Sequence, residues 1–510
     1  MKNEENISSS VAYLKQKQFK HLLKQSQEYG TLGFGFAITA GLAAIIAICS
    51  VNYAAGTIKP VPMGVAGVLA AEALVLFLIR LAVKGCYKRH GELTRGVRML
   101  GLLPVLMLAT CNVFAFPAGC MMLKKKKSLE YHIEIFAILT DFFAIAVSCV
   151  NILKGYVIST FFPAIGILAV LTGFHAVCLY FLAEGVTNTQ ASRKMIPLAV
   201  LLILSGCTGN LFAVLAGLIV LAKAFNKEAE VSISWVDIFK RLFRSQVAVW
   251  GAFIIVFWIM MTFWANYTFD YSLAVDNNYQ AILQGPSFQY PLGTDDLGRC
   301  VFSRVVFGAK ISLMAGLLST MFSVVIGMTL GAIAGYYSGK VDNVIMRILD
   351  VFMAMPGLLL PIAIVTATGN SIGWIIVALG MGVIPGYGRT VRASVMTLTG
   401  CEFIEAERAN GAKNSWIILK HIIPNSLSPV IVRATMGFGG NVLAISSLSY
   451  LGVGIESYVP EWGNILKVGS SYLETASYLA IYPGVVIVLM VLGFNFLGDG
   501  VRDALDPKLK

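Results

Sequence analysis

Long apolar segments alternate with short polar segments along nearly the whole chain. A helix needs about 20 residues to cross the ~30 Å apolar core of a bilayer, and twelve apolar segments have about that length. They form two groups of six, at 33–52, 61–80, 99–122, 132–153, 156–182 and 195–222, then at 246–268, 310–336, 344–368, 372–391, 429–452 and 480–498. Because backbone in lipid must satisfy its own hydrogen bonds, the pattern predicts an all-α polytopic membrane protein with about twelve transmembrane helices.

Charged and polar segments divide the chain into four parts. We predict a cytoplasmic tail at 1–32, an N-terminal membrane module of about six helices at 33–222, a cytoplasmic linker at 223–244 and a C-terminal membrane domain at 245–510. The tail is polar and lacks the short apolar core and cleavage site of a secretory signal. We see no sequence repeat between the two halves, so each is interpreted separately.

Composition supports this interpretation. Of the 510 residues, 57% are hydrophobic and 13% are charged, whereas soluble domains contain about 25% charged residues. The net charge of +12 is carried by Lys and Arg between apolar segments, as the positive-inside rule requires of cytoplasmic loops. We therefore expect a lipid bilayer and no nucleic acid among the partners. None of the nine Cys lies in a Cys-x-x-Cys pair, and no metal site is predicted.

The charges orient the second half consistently but not the first. Six spans place 223–244, 390–428 and the basic C-terminus on one side, which is therefore the inside. In the first half, the run Lys124–Lys127 falls outside if 99–122 crosses the membrane. The alternative is that 99–122, which contains two prolines, is re-entrant. That leaves five spans and an external N-terminal tail, so we keep six spans as the prediction.

The inside loop at 402–425 has the pattern of two short helices that meet at a glycine and stop at a proline. Charged residues on such a helix fix how it docks on a partner, and the glycine lets the two helices meet at an angle. A transporter driven by a separate ATPase needs an element of this kind. The residues expected to form it are Glu402, Glu405, Ala406, Glu407, Ala409, Gly411, Ala412, His421, Pro424 and Asn425.

This loop resembles the EAA loop of bacterial ABC importer permeases. That pattern is Glu-Ala-Ala, three residues, Gly, nine residues and Ile-x-Leu-Pro, and here it is Glu405-Ala406-Glu407, three residues, Gly411, nine residues and His421-Ile422-Ile423-Pro424. The spacing is kept throughout. The departures are Glu407 for Ala, His421 for Ile and Ile423 for Leu.

Three further segments resemble the C-type subunit of dipeptide and oligopeptide permeases, so that the resemblance covers about 235–510. The string PLGTDDLGR is similar to the signature PLGTDxLGRD of that family, with Cys300 in place of the final Asp, and FGAKISL and the C-terminal NFLGDGVRDALDP also match it. The signature residues carried over are Pro291, Gly293, Thr294, Asp295, Gly298 and Arg299.

The resemblance implies a permease subunit of an ABC importer in the bacterial inner membrane, whose C-terminal six helices form a type I permease core. The implied substrates are di- or oligopeptides, moved by alternating access. The implied partners are a second homologous permease subunit, two ATP-binding subunits that hold ATP and Mg, and an extracytoplasmic substrate-binding protein. The chain itself has no GxxxxGK[ST] motif, so we expect it to bind no cofactor and to be no enzyme.

Two features leave alternatives open. Glu72, Glu134, Asp141 and His175 lie in apolar segments of the first half, where ionisable residues are functional candidates, although they could instead bond polar groups on neighbouring helices. Glu134 and Asp141 are seven residues apart and share a helix face. A proton-coupled secondary transporter would use these acids but would need others in the second half. A membrane scaffold without transport would not need the EAA spacing.

Overall fold

The computed structural model describes residues 22–23, 26–52, 57–58, 60–124, 128–153, 157–187, 190–225 and 234–506. The chain forms two compact units. The first comprises Met1–Phe143, Leu171–Gly206 and Leu211–Val236, and the second comprises Ala144–Val170, Cys207–Asn210 and Asp237–Lys510. The described residues are almost entirely helical, and the predicted tail at 1–32 lies mostly outside them.

The helices up to the linker are α1 (Gln27–Ser50), α2 (Pro60–His90), α3 (Arg95–Met99), α4 (Leu102–Leu106), α5 (Phe116–Leu123), α6 (Leu129–Cys149), α7 (Phe161–Gly185), α8 (Ile196–Ser205) and α9 (Leu211–Phe225). Short 3-10 segments are Met107–Thr110, Val150–Leu153, Arg193–Met195 and Gly206–Thr208. Two strands of two residues, β1 (Val51–Asn52) and β2 (Thr57–Ile58), pair in antiparallel register.

The later helices are α10 (Ser234–Leu242), α11 (Gln246–Thr268), α12 (Ser272–Val275), α13 (Val301–Tyr337), α14 (Gly339–Ala354), α15 (Leu359–Thr368), α16 (Ile372–Leu398), α17 (Glu402–Ala409), α18 (Asn414–Trp416), α19 (Ile423–Asn425), α20 (Leu427–Leu451), α21 (Trp462–Ser471) and α22 (Tyr478–Leu505). A 3-10 turn at Tyr279–Ala281 and a π-helical turn at Ile417–Ile422 complete this half.

The predicted count of twelve spans is not reached. Within the described ranges, nine helices are long and apolar enough to cross a membrane: α1, α2, α6 with its 3-10 extension, α7, α11, α13, α16, α20 and α22. The count rises to ten if α14 and α15, which are bent by 88° at their junction, form one span. The other two predicted spans, 99–122 and 195–222, are broken.

The segment 99–122 is a helical hairpin instead of one span. Pro117 occupies the start of α5, and Cys111 has a left-handed φ of 60° that ends the preceding 3-10 turn. The two arms pack closely, because a Cβ atom at Gly119 would lie 2.6 Å from the Gly101 carbonyl oxygen. The eight residues of α5 extend only ~12 Å, so this arm cannot cross a bilayer alone.

The segment 195–222 is also a hairpin. Its arms α8 and α9 turn at Gly209, which has a φ of +90°. They run antiparallel, since a Cβ atom at Gly217 would lie 2.6 Å from the Ala199 carbonyl oxygen and 2.7 Å from an Ile203 side-chain carbon. The ten residues of α8 extend ~15 Å and the fifteen of α9 ~22 Å, both short of the ~30 Å required.

In the second unit, α13 and α16 pack through glycines spaced four residues apart. A Cβ atom at Gly327 would lie 2.9 Å from the Ile384 carbonyl oxygen, one at Gly335 would lie 2.9 Å from the Arg392 carbonyl oxygen, and one at Gly331 would overlap the Gly388 carbonyl oxygen. Small residues at this spacing let two helix backbones approach. The contact fixes α13 against α16 along several turns.

We expect Gly331→Ala to destabilise the protein, because the new methyl group meets a backbone carbonyl that cannot move without separating α13 from α16. The control is Gly382→Ala on α16, where a Cβ atom meets nothing within 4 Å. Replacing a helical glycine by alanine at an open position stabilises by roughly 0.5–1 kcal/mol. Thermal denaturation in detergent should therefore move in opposite directions for the two variants. Equal shifts would contradict the packing.

Candidate functional site

The loop at 402–425 forms two helical segments around a glycine turn. At the end of α17, the Gly411 N–H donates to the Arg408 carbonyl (3.0 Å) and the Ala412 N–H donates to the Glu407 carbonyl (3.1 Å), which is the Schellman pattern. Gly411 has a φ of +78°, and a Cβ atom there would meet nothing within 4 Å. The turn therefore requires glycine for its backbone conformation and not for close packing.

One face of this loop is buried against the spanning helices. Ile404, Ile417 and Ile422 are fully buried in a core that also contains Tyr336 of α13 and Tyr387 of α16. Because both segments of the loop contribute to one core, a displacement of the loop must displace α13 and α16 as well.

Polar contacts reinforce the attachment to α13. The Tyr336 hydroxyl donates to the Asn414 side-chain oxygen (2.8 Å). The Arg408 guanidinium lies over the Tyr336 ring, 5.0 Å from its centroid. Tyr336 thus joins the end of α17 to the start of α18, so the loop is held as one rigid element.

The opposite face of the loop is exposed and combines acidic with large apolar side chains. Of the predicted docking residues, Glu407, Ala412 and His421 are half-buried and the other seven are exposed. Phe403, Trp416 and Leu419 are 41%, 51% and 67% exposed. Exposed aromatic and aliphatic residues beside carboxylates are typical of a protein-docking surface.

Two departures from the EAA pattern contact each other. The His421 Nε2 atom lies 3.5 Å from the Glu407 Oε1 atom, across the turn that contains Gly411. Both side chains are partly solvated, so the pair contributes at most about 1 kcal/mol. Glu407 and His421 are both departures from the EAA pattern, and together they form a polar contact between α17 and the π-helical turn.

The predicted signature residues lie in the loop between α12 and α13, where they are brought together around Asp295. This buried carboxylate accepts hydrogen bonds from the Leu297 N–H (3.0 Å), the Arg299 N–H (2.8 Å) and the Arg299 Nε atom (2.7 Å). Gly298 has a φ of +74°, and a Cβ atom there would overlap the Asn278 carbonyl oxygen. The signature therefore shapes the loop itself and does not present an open site.

The remaining signature residues continue this structure. Thr294 is fully buried and its hydroxyl accepts from the Gln284 N–H (2.8 Å). Gly293 has a φ of +78° and its N–H donates to the Tyr290 carbonyl (2.8 Å). Pro291 is half-buried at the start of the turn. Together they hold the loop against the first turn of α13.

Arg304 on α13 is a buried charge beside the substituted position. Its side chain is 1% exposed, and its Nη1 atom donates to the Ala274 carbonyl (3.1 Å). Its Nε atom lies 3.7 Å from Asp295, and within the described residues Nε and Nη2 have no hydrogen-bond acceptor. Cys300, one turn earlier, occupies the N-cap of α13 without a side-chain cap.

A buried acid in the second unit was missed by the sequence analysis. Glu461 is fully buried and accepts from the Ser312 hydroxyl (3.0 Å), the Ser446 hydroxyl (3.0 Å) and the Asn464 N–H (3.1 Å). It caps α21, a short helix between α20 and α22. The sequence signal that could have identified Glu461 is its position directly before Trp462, which is also fully buried.

The four ionisable residues predicted in the first half separate into two sites. Glu134, His175 and Asp141 contact one another, with distances of 2.7 Å (Oε1 to Nδ1) and 3.7 Å (Nε2 to Oδ2). Glu72 instead accepts from the Asn112 side chain (2.8 Å) and the Thr110 hydroxyl, at the turn of the first hairpin. Among the described residues, no group of three or more His, Cys, Asp or Glu could hold a metal ion.

We expect Cys300→Asp to stabilise the protein by about 1 kcal/mol, because an Asp at an N-cap accepts the free N–H groups of the first turn. It would also lie one turn from Arg304 and supply the acceptor that this guanidinium lacks. The matched control Cys300→Asn can cap the helix but brings no charge. Thermal denaturation should rank Asp above Asn and Asn above Cys. A lower melting temperature for Cys300→Asp would refute this account of Arg304.

Comparison with known proteins identifies the C-terminal half. Residues 327–510 match the family described as binding-protein-dependent transport system inner membrane component, and residues 234–286 match the N-terminal TM domain of oligopeptide transport permease C. The chain is 43% identical over 276 residues to a dipeptide transport system permease protein of Alkalihalophilus pseudofirmus, covering 54% of this chain and 90% of the relative.

A second relative agrees. The chain is 41% identical over 284 residues to a glutathione transport system permease protein of Pectobacterium atrosepticum, covering 56% of this chain and 94% of the relative. A solved inward-facing MetNI methionine ABC transporter aligns with 40% of this chain and 97% of its own, at 22% identity and a TM-score of 0.33. Through its C-terminal half, the chain therefore belongs to the inner-membrane permeases of ABC importers, of the oligopeptide permease C type.

Proposed function

We propose that this chain moves peptides across the inner membrane as one permease subunit of an ABC importer, and that the loop at 402–425 receives the motion of an ATPase. The observation that carries the proposal is the two-sided structure of this loop. One face is buried against α13 and α16, and the other is exposed with the composition of a docking surface. A push on the exposed face is therefore transmitted to the spanning helices.

The proposed complex contains a second homologous permease subunit, two ATP-binding subunits and an extracytoplasmic substrate-binding protein. ATP and Mg would be held by the ATP-binding subunits. Closure of those subunits around ATP would displace the loop, and the rigid contact with α13 and α16 would convert this into alternating access. The membrane subunit would bind no nucleotide.

Peptides are the proposed substrates because of the two relatives. One carries the name of a dipeptide system and the other that of a system for glutathione, which is itself a small peptide. The two alternatives, a proton-coupled secondary transporter and a scaffold without transport, do not account for the family assignment.

The proposed permease core has six crossings within 245–510: α11, α13, the bent pair α14 and α15, α16, α20 and α22. The linker at 223–244 and the tail at 1–32 would be cytoplasmic, and 33–222 would be a separate membrane module. Support for the core comes from the family matches, which begin at residue 234.

For the N-terminal module we propose four crossings, α1, α2, α6 and α7, and two re-entrant hairpins in place of the six predicted spans. Each hairpin returns the chain to the side from which it entered. Both hairpins then begin and end inside, together with Lys124–Lys127 and the tail. The connections that carry several basic residues are all inside in this arrangement, and the two outside connections carry one Lys each, Lys59 and Lys154, as the positive-inside rule requires. One hairpin alone would have placed the tail outside.

Reporter fusions test this topology. Alkaline phosphatase, active only outside, should be inactive when fused between α5 and α6 and active when fused between α6 and α7. A green fluorescent protein reporter should give the complementary result. Six straight spans predict the reverse at both positions, so one pair of fusions distinguishes the two arrangements.

Gly411→Val tests the coupling loop. A β-branched residue in the left-handed conformation costs about 1–2 kcal/mol, so the turn should rearrange and ATP-driven peptide uptake should fall at least tenfold at an unchanged membrane level. The matched control is Gly369→Val after α15, where φ is +94° and a Cβ atom meets nothing within 4 Å. Normal uptake by Gly411→Val, or equal loss in both variants, would overturn the assignment.

Affinity purification of the full chain in mild detergent tests the proposed complex. We expect mass spectrometry to detect ATP-binding subunits and a second permease. When Phe403 and Trp416 are both changed to Ser, the ATP-binding subunits should be lost from the complex before the second permease. Recovery of a complex without any ATP-binding subunit would contradict the proposal.

A further inference from the structure

Three buried ionisable side chains meet between α6 and α7 in the first unit. Glu134 is fully buried, and Asp141 and His175 are each 1% exposed. The imidazole lies between the two carboxylates, with Nδ1 facing Glu134 at 2.7 Å and Nε2 facing Asp141 at 3.7 Å. Within the described residues, the second Glu134 oxygen has no hydrogen-bond donor.

The cluster lies deep in the membrane. Asp141 is twelve residues, or ~18 Å, from the first residue of α6, and His175 lies at the fifteenth position of the 25-residue α7. Both positions are near the middle of a ~30 Å apolar core. At this depth uncompensated charge is expensive.

The geometry determines how many protons the cluster needs. A neutral imidazole has one N–H group, so only one of its nitrogens can donate. Both nitrogens face a carboxylate here. Both contacts are attractive only if the ring carries two protons, or if a carboxyl group carries the second. As separate side chains at neutral pH, two ionised carboxylates and one neutral imidazole would together carry one proton fewer than this.

We propose that Glu134, His175 and Asp141 form a binding site for one proton at mid-membrane depth. The proton comes from water and is held as an N–H or O–H bond between the imidazole and a carboxylate. With it, the cluster has a net charge of −1; without it, two carboxylates would face a neutral ring. Proton occupancy therefore controls how firmly α6 and α7 associate.

A neighbouring ion pair adds no net charge to the cluster. One turn before Glu134, Glu130 forms its own ion pair with Lys223 of α9 (2.7 Å), and this pair is neutral by itself. Among the described residues, the other buried titratable side chains of α5, α6 and α7 are uncharged or weakly basic. They are Tyr131, His132, Cys120 and Cys178.

A metal cation fits the cluster less well than a proton does. The two carboxylates contact opposite nitrogens of one ring, so the three groups cannot converge on a single ion.

The experiment uses the full chain in lipid nanodiscs with ¹⁵N-labelled histidine. The sequence has five His, and His175→Gln assigns the signal. At pH 7.5 we expect either both His175 nitrogens protonated, or one protonated together with the infrared band of a protonated carboxyl. A neutral ring beside two ionised carboxylates in the unaltered protein overturns the proposal without need of any variant.

Two variants test whether the protonation state of His175 depends on the cluster. Glu134→Gln should change the state of His175 at pH 7.5, whereas Glu184→Gln, at an exposed position on the same helix α7, should leave it unchanged. A His175 signal that responds to Na⁺ at constant pH would identify a metal site and also overturn the proposal. Because the readout is spectroscopic, its failure is independent of whether the chain imports peptides.

Discussion

The permease half depends on one physical constraint, which is that the loop at 402–425 and the spanning helices share a single packed core. Ile404, Ile417 and Ile422 are fully buried beside Tyr336 and Tyr387. A loop held only by its two chain ends could absorb a displacement through its own flexibility. A loop whose apolar side chains belong to the core of α13 and α16 cannot do so, because well-packed cores transmit strain. The proposed transmission of motion therefore rests on burial more than on charge.

The close contact between α13 and α16 extends this constraint into the membrane. Glycines at 327, 331 and 335 bring backbone against backbone, so the two helices move as one body. The loop that precedes α13 folds around Asp295 at the other end of this helix, with Gly293 and Gly298 in left-handed conformations. A continuous packed path therefore runs from the loop at 402–425 along α13 to its first turn, as the proposed coupling would need.

The N-terminal module follows different rules. Neither of its two hairpins contains a helix long enough to cross a membrane, although their residues are as apolar as those of a spanning helix. Its acids are buried against specific partners, Glu72 with Asn112, Glu130 with Lys223, and Glu134 with His175. Polar side chains in lipid are tolerated where each meets a complementary group. The family matches begin after this module.

The sequence by itself determined the membrane class and the family of the C-terminal half, and it predicted a glycine turn in the loop at 402–425. These depend on local spacing and on backbone conformation, and the glycine at 411 has the positive φ that its place after a short helix predicts. Only the tertiary structure decided that 99–122 and 195–222 turn back. Hydropathy is the same for one span and for a hairpin, although Gly209 followed by Asn210 was a local turn signal. The meeting of His175 with Glu134 and Asp141, the pairing of Glu407 with His421 and the burial of Glu461 also required the structure, because each joins residues from separate elements whose approach no single segment encodes.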